Sequence, residues 1–79
     1  MNKYIIKIMV PILNKEYELF VPNNILVGNL LYMFIHSLKE LDNIDIENGS
    51  LYDVDSDKVL NLDDYIFNSI NNGATLIFV

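Results

Sequence analysis

The chain has 79 residues, 52% of them hydrophobic, and contains no cysteine. This length supports one domain, residues 1–79, and the apolar content excludes an ordinary disordered chain. The absence of cysteine excludes disulfides, thiolate metal sites and a cysteine nucleophile. Five basic residues against eleven acidic ones give a net charge of −6, which leaves no basic stripe to bind a nucleic acid.

The first two predicted elements are strands that form a hairpin. Side chains from Lys3 to Val10 alternate with the period of a strand, and Pro11 ends it because proline donates no backbone hydrogen bond. The second strand covers Glu16 to Val21. One register brings apolar groups together and opposite charges together: Ile8 with Tyr17, Ile5 with Phe20 and Lys7 with Glu18.

An amphipathic helix is predicted after a turn at residues 22–24, with Asn24 as its N-cap. Apolar residues recur at helical spacing on one face: Val27, Leu30, Leu31, Phe34, Leu38 and Leu41. Tyr32 and Met33 lie on the opposite face, where they are candidates for a weak homodimer contact. His36 lies there too, with no nucleophile placed to use it, so we expect a surface histidine.

The second half of the chain predicts two short strands, a helical turn and a last strand. The strands cover residues 51–54 and 58–60, and the last strand covers residues 75–79 after an Asn72-Gly73 turn. Asn61 or Asp64 is the predicted cap of the helical turn. The aromatic residues expected in the core are Tyr4, Tyr17, Phe34, Tyr65 and Phe78.

The acidic segment at Asp53, Asp55 and Asp57 has part of the spacing of a calcium-binding loop, with Asp64 at the twelfth place. Lys58 occupies the sixth place, where such a loop requires glycine. We therefore expect an acidic turn and no metal site. No cofactor and no catalytic activity are expected either, although a domain that responds to divalent cations stays an alternative.

Several motifs resemble the β-grasp family. The stretch 62–65 resembles the Leu-Ser-Asp-Tyr of ubiquitin, residues 75–79 resemble its last strand, and Val21-Pro22 followed by Val27 and Leu30 resembles the start of its helix. Over its whole length the chain is similar to the small YukD/EsaB-type bacterial ubiquitin-like proteins that accompany type VII (WXG100) secretion systems. Residues 10–17 and 70–77 carry that resemblance most clearly.

The resemblance implies an α+β fold: a mixed five-stranded sheet of order 2-1-5-3-4 packed on one main helix, with a short helical turn before the last strand. It also implies a non-covalent adaptor in the cytoplasm that binds a protein, namely the cytoplasmic domain of a type VII membrane component. No terminal Gly-Gly tail follows Val79, so conjugation is not expected. A degenerate sulfur carrier or ubiquitin-like modifier is the alternative. No apolar run reaches membrane-spanning length, so we expect no direct insertion into a membrane.

In this fold the outer face of the sheet would carry an apolar stripe across four strands, and ubiquitin binds its partners through the same face. A connected apolar patch of this kind usually marks an interaction site. The predicted protein-binding residues are Ile5, Met9, Ile12, Leu13, Phe20, Tyr52, Ile77 and Val79.

Overall fold

A five-stranded mixed sheet with one long helix packed on its inner face forms the molecule, as the computed structural model shows for residues 2–79. The elements in chain order are β1 (Lys3–Val10), a 3-10 turn (Pro11–Leu13), β2 (Lys15–Pro22), α1 (Val27–Asp42), β3 (Leu51–Asp53), β4 (Lys58–Val59), α2 (Ile66–Ser69) and β5 (Thr75–Phe78). The third, fourth and last strands each end one residue earlier than predicted.

The strand order is β2-β1-β5-β3-β4, as predicted. Strand β5 is parallel to β1 and antiparallel to β3, so the two halves of the chain meet at the centre of the sheet. The predicted hairpin register is confirmed, because Ile8 lies opposite Tyr17. The ion pair of Lys7 differs from the prediction, however. Its ammonium lies 3.5 Å from the carboxylate of Glu16, the diagonal neighbour on β2, and not beside that of Glu18, which is directly opposite.

The core lies between the sheet and α1. Alternate residues of β1 and β5 point inward, and they meet the apolar face of the helix. Phe34 is the central aromatic contact, since its ring centroid lies 5.5 Å from that of Tyr17 and 5.7 Å from that of Phe78. The side chains that are almost completely buried are Ile6, Ile8, Val10, Val27, Leu30, Leu38, Leu51, Ile66 and Leu76.

The last turn of α1 differs from the prediction. Leu41 was expected in the core but is 82% exposed. The helix ends at Asn43, whose left-handed backbone (φ 56°) redirects the chain. Beyond that cap, Ile44 and Ile46 pack against the core. The helical pattern alone assigned Leu41 to the buried face because it contained no information about this reversal.

The start of α1 is also capped differently from the prediction. The N-cap is Leu26, two residues after the predicted Asn24. Since leucine has no side-chain acceptor, the amide of Asn29 reaches back, and its Oδ1 accepts a hydrogen bond from the Leu26 N–H at 3.3 Å.

Two more N–H groups of that first turn find partners in a distant loop. The N–H of Val27 donates to the carbonyl oxygen of Asp64 at 2.8 Å, and that of Gly28 donates to the carbonyl oxygen of Leu62 at 2.9 Å. A Cβ atom on Gly28 would lie only 3.1 Å from that Leu62 oxygen, so glycine permits the close approach. The loop therefore supplies the cap that the local sequence lacks.

The α2 turn also differs from the prediction. Tyr65 was expected in the core, but it is the N-cap residue of α2 and is 47% exposed, stacked on Phe67 with ring centroids 5.6 Å apart. Neither Asn61 nor Asp64 caps α2 through its side chain. The Asn61 side chain instead accepts a hydrogen bond from the Asp63 N–H at 2.9 Å and so shapes the turn before the helix.

The predicted Asn72-Gly73 turn is present and is joined to the central strand. Gly73 has a φ of 89°, which favours glycine. Its N–H donates to the carbonyl oxygen of Ile5 at 2.8 Å, and the Asn72 side chain accepts a hydrogen bond from the Ile5 N–H at 2.8 Å. This turn therefore places the beginning of β5 against β1.

A polar contact joins the end of α1 to β2. The Tyr17 hydroxyl donates a hydrogen bond to the Asp42 carboxylate at 2.5 Å, and the Lys15 ammonium lies 3.8 Å from the same carboxylate. Burial, together with the hydrogen bond to Asp42 and its negative charge, raises the pKa of Tyr17 to about 12.

Replacing core side chains should separate the buried helix face from its exposed end. We expect Phe34→Ala and Leu76→Ala each to lower the free energy of unfolding by roughly 2–5 kcal/mol, because each leaves a cavity. Leu41→Ala should change it by less than about 0.5 kcal/mol, because that side chain is already in solvent. Urea denaturation followed by circular dichroism measures all three, and a Leu41→Ala loss as large as that of Phe34→Ala would contradict the structure.

The raised pKa of Tyr17 predicts a pH dependence of stability. In the unfolded chain this phenol loses its proton near pH 10, whereas in the folded protein it keeps the proton until about pH 12. The contribution to stability is therefore complete below pH 10 and is lost as the pH rises from 10 to 12. Ultraviolet titration of tyrosinate should show a late-ionising component that Tyr17→Phe removes and the control Tyr32→Phe retains.

Candidate functional site: the outer face of the sheet

The outer face of the sheet carries the side chains that alternate with the core residues of each strand. Four of them lie in one line across the sheet. Met9 lies opposite Ile77 in the parallel ladder, Ile77 lies opposite Tyr52, and Tyr52 lies opposite Val59 on β4. We call these four residues the outer row.

The outer row is open to solvent at both ends and partly covered in the middle. Val59 is 60% exposed and Met9 is 36% exposed, whereas Ile77 and Tyr52 are half-buried between their neighbours. Val59 was not among the predicted site residues. The sequence signal that could have identified it is the short turn after Tyr52, which brings the next strand back beside it.

The rest of the predicted stripe forms a separate patch. Phe20 lies opposite Ile5 on β1, and the two are 70% and 44% exposed. Between this pair and the outer row the sheet carries Lys7, with Glu18 opposite it on one side and Thr75 on the other. The stripe predicted as continuous is therefore two apolar patches with a polar row between them.

The predicted residues at the hairpin tip and at the end of β5 differ in their surroundings. Ile12 is 88% exposed, whereas Leu13 is partly buried and packs against the core. Val79 is 63% exposed, and its backbone is held to Ser50 by two hydrogen bonds of 2.9 Å. Of these three, Ile12 and Val79 offer apolar surface to a partner and Leu13 contributes mainly to packing.

The acidic turn after β3 is organised by its own carboxylates. Asp53 is buried, and its carboxylate accepts hydrogen bonds from the Ser56 hydroxyl at 2.8 Å and from the Asp55 N–H at 3.3 Å. The Asp57 carboxylate accepts a hydrogen bond from the Tyr52 hydroxyl, which orients that ring in the outer row. Within residues 2–79 no group of three or more acidic, histidine or cysteine side chains could hold a metal ion.

The helix face away from the sheet carries the second predicted contact. Tyr32 is 71% exposed and stacks on the ring of His36, with centroids 6.2 Å apart. The His36 Nε2 atom lies 3.5 Å from a Glu40 carboxylate oxygen, one helical turn away. Met33 is 47% exposed. These contacts are local to the surface of the helix.

Comparison with known proteins identifies the architecture. No family model matches the sequence, and no curated protein matches it significantly. Among solved structures, a ubiquitin-like protein from Trypanosoma brucei superposes with a TM-score of 0.72 at 18% sequence identity, over 99% of this chain and 94% of that one. The fold is a ubiquitin-like β-grasp.

The β-grasp arrangement explains why the outer row exists at all. A single main helix covers one face of the sheet, so the other face is left without a covering layer. In the part of the chain that the structure describes, no helix is long and apolar enough to cross a bilayer.

Calcium titration checks the interpretation of the acidic turn. Because Ser56 and a backbone N–H already occupy the Asp53 carboxylate, and Tyr52 donates to Asp57, we expect no saturable binding of calcium up to millimolar concentration. Isothermal titration calorimetry measures this directly. Micromolar binding that Asp55→Ala abolishes and Asp63→Ala leaves unchanged would show that the turn is a calcium site.

Proposed function

We propose that this protein is a non-covalent, protein-binding adaptor of a type VII secretion system. It acts in the cytoplasm by binding, without catalysis, and its partner is the cytoplasmic domain of a membrane component of that system. Two findings support the proposal: the ubiquitin-like β-grasp fold, and the motifs at residues 10–17 and 70–77 that resemble the YukD/EsaB type.

The observation that carries the proposal is the outer row. Apolar side chains aligned across four strands on a solvent-facing surface are unusual for a monomer, in which polar residues normally occupy that face of an antiparallel or mixed sheet. Connected apolar surface with a polar rim is the composition of protein interfaces.

The geometry of the row identifies its anchor. Ile77 lies on the central part of the sheet, with Met9 on one side and Tyr52 on the other. Binding energy concentrates in a few central residues that become fully desolvated. The Lys7–Glu16 ion pair lies beside the row and provides part of a polar rim. Ile77 is therefore the predicted centre of the interface, and Val59 extends it towards the edge.

A pair of charge substitutions tests the proposal. Val59→Lys and Ile77→Lys should each weaken partner binding by about 100-fold, because docking would bury an unpaired charge. Val59→Lys should leave the melting temperature nearly unchanged, since Val59 is 60% exposed. The measurement is in-cell crosslinking with this chain as bait, quantified for the crosslinked type VII component. Tyr32→Glu, on the exposed helix face, is the control and should crosslink normally.

Three results would overturn the proposal. Folded Val59→Lys and Ile77→Lys variants that still crosslink would place the partner elsewhere. Equal loss in the Tyr32→Glu control would point to a general effect of charge. Intact-mass measurement on the purified cellular protein provides the third, because covalent adducts on other proteins would establish the alternative role of a modifier.

A further inference from the structure

Strand β2 is a long free edge of the sheet. The sheet order leaves β2 with a neighbour on one side only, and β2 spans eight residues, whereas β4 at the opposite edge spans two. An edge strand presents backbone N–H and C=O groups that can pair with another extended chain.

The hydrogen-bond pattern identifies which of these groups are free. The Asn23 N–H donates to the Asn2 carbonyl oxygen at 2.7 Å, and bonding to an antiparallel neighbour alternates along the strand. The odd-numbered residues of β2 therefore bond to β1. The N–H and C=O groups of Glu16, Glu18 and Phe20 point away from the sheet.

A groove lies directly beside this edge, between β2 and α1. Its volume is about 120 Å³, and most of its lining is apolar, with Ser37 and Asp42 as the polar exceptions. The apolar residues lining it are Tyr17, Leu19, Phe34, Leu38 and Leu41. Leu41, which is 82% exposed, forms part of this wall, and the hydrogen bond from Tyr17 to Asp42 holds the two walls together.

We propose that β2 and this groove form a second docking site, which takes an extended segment of a partner protein as a sixth strand with apolar residues over the groove and basic residues beside Glu16 and Glu18. Side chains of such a strand alternate between the two faces of the sheet. Main-chain pairing supplies affinity, and the alternating side chains supply specificity.

The charges on the edge select a basic segment. Glu16 and Glu18 are both exposed on the outer side of β2. Glu16 pairs with Lys7, whereas Glu18 forms no ion pair within residues 2–79. The chain as a whole carries a net charge of −6, so an acidic segment would be repelled both locally and at long range.

The same charges disfavour a second copy of this chain as the occupant. A two-fold antiparallel pairing centred on Tyr17 would place Glu16 opposite Glu18 twice, and one centred on Glu18 would place two copies of that residue opposite each other. Like charges directly opposite destabilise a strand pair. Pairing centred on Leu19 would place Pro22, which has no N–H, opposite Glu16 and so lose a ladder bond.

A synthetic peptide, Lys-Val-Lys-Ile-Lys-Val-Lys with blocked termini, is the probe. Amide hydrogen exchange followed by nuclear magnetic resonance should show the N–H groups of Glu16, Glu18 and Phe20 exchanging at least about tenfold more slowly at saturation, because they become hydrogen-bonded. The amides of Asp55 and Asp57, in the turn before β4 at the opposite edge of the sheet, should be unaffected. The analogous peptide with glutamate in place of lysine should give no protection.

Charge reversal separates specific pairing from general attraction. Glu18→Lys should weaken binding of the lysine peptide by about tenfold and allow the glutamate peptide to bind. Glu47→Lys, an exposed position with the same change in net charge, should alter binding much less. On the groove side, Leu41→Ser should weaken binding, whereas Tyr32→Ser on the opposite helix face should not.

Four outcomes would overturn this proposal. The first is the absence of amide protection at saturating peptide, and the second is an equal loss of peptide binding in Glu18→Lys and Glu47→Lys. The third is protection of the same amides that appears without peptide and rises with protein concentration, because a second copy would then be the occupant. The fourth is loss of peptide binding in Val59→Lys, which would place the peptide on the outer row. Because Val59→Lys should leave peptide binding at β2 intact, this test succeeds or fails independently of the adaptor proposal.

Discussion

The parallel pairing of β1 with β5 is the constraint on which the rest of the structure depends. Lys7 to Met9 align with Thr75 to Ile77, so the two ends of the described chain lie side by side in the middle of the sheet. Parallel strands cannot be joined by a tight turn, so the chain that leads from the end of the hairpin to β5 must form a crossover. The helix, the two short strands and the α2 turn are that crossover, and their apolar residues close the inner face of the same strands.

This arrangement gives the two faces of the sheet different chemistry. Inward side chains of β1 and β5 meet α1 and form a continuous apolar core. Outward side chains have no covering layer, yet the register still aligns Met9, Ile77 and Tyr52 with Val59. The outer row is thus a product of strand pairing, and the same register places Lys7 and Glu18 between it and the Ile5–Phe20 pair.

The crossover also fixes the position of α1 against the sheet. Its first turn is capped by carbonyl groups of residues 62–64, and its last turn is joined to β2 through Tyr17 and Asp42. These two attachments, one at each end, leave the helix beside the free edge of β2. The outer row and the β2 groove are therefore on different parts of the surface, and one partner segment can occupy either without occupying the other.

The sequence by itself determined most of the fold. Period-two alternation and Pro11 located the hairpin, complementary pairs set its register, and motifs such as Asn72-Gly73 indicated the β-grasp order. These features are local, so they can be recognised in a linear sequence. It also identified most residues of the outer face, because alternation assigns side chains to one face or the other.

Only the tertiary structure decided which of those residues lie next to each other. The alignment of β1 with β5 joins residues nearly seventy positions apart, and no local pattern specifies it. That alignment places Ile77 beside Met9 and so divides the predicted stripe, whereas the pairing of β3 with β4 adds Val59 to the outer row. Likewise, Leu41 and Tyr65 follow apolar patterns but are exposed. The left-handed cap at Asn43 redirects the chain just after Leu41, and a backbone bridge to Leu26 fixes the position of Tyr65. Local periodicity states which side of an element is apolar, whereas packing between distant elements decides how much of that side is covered.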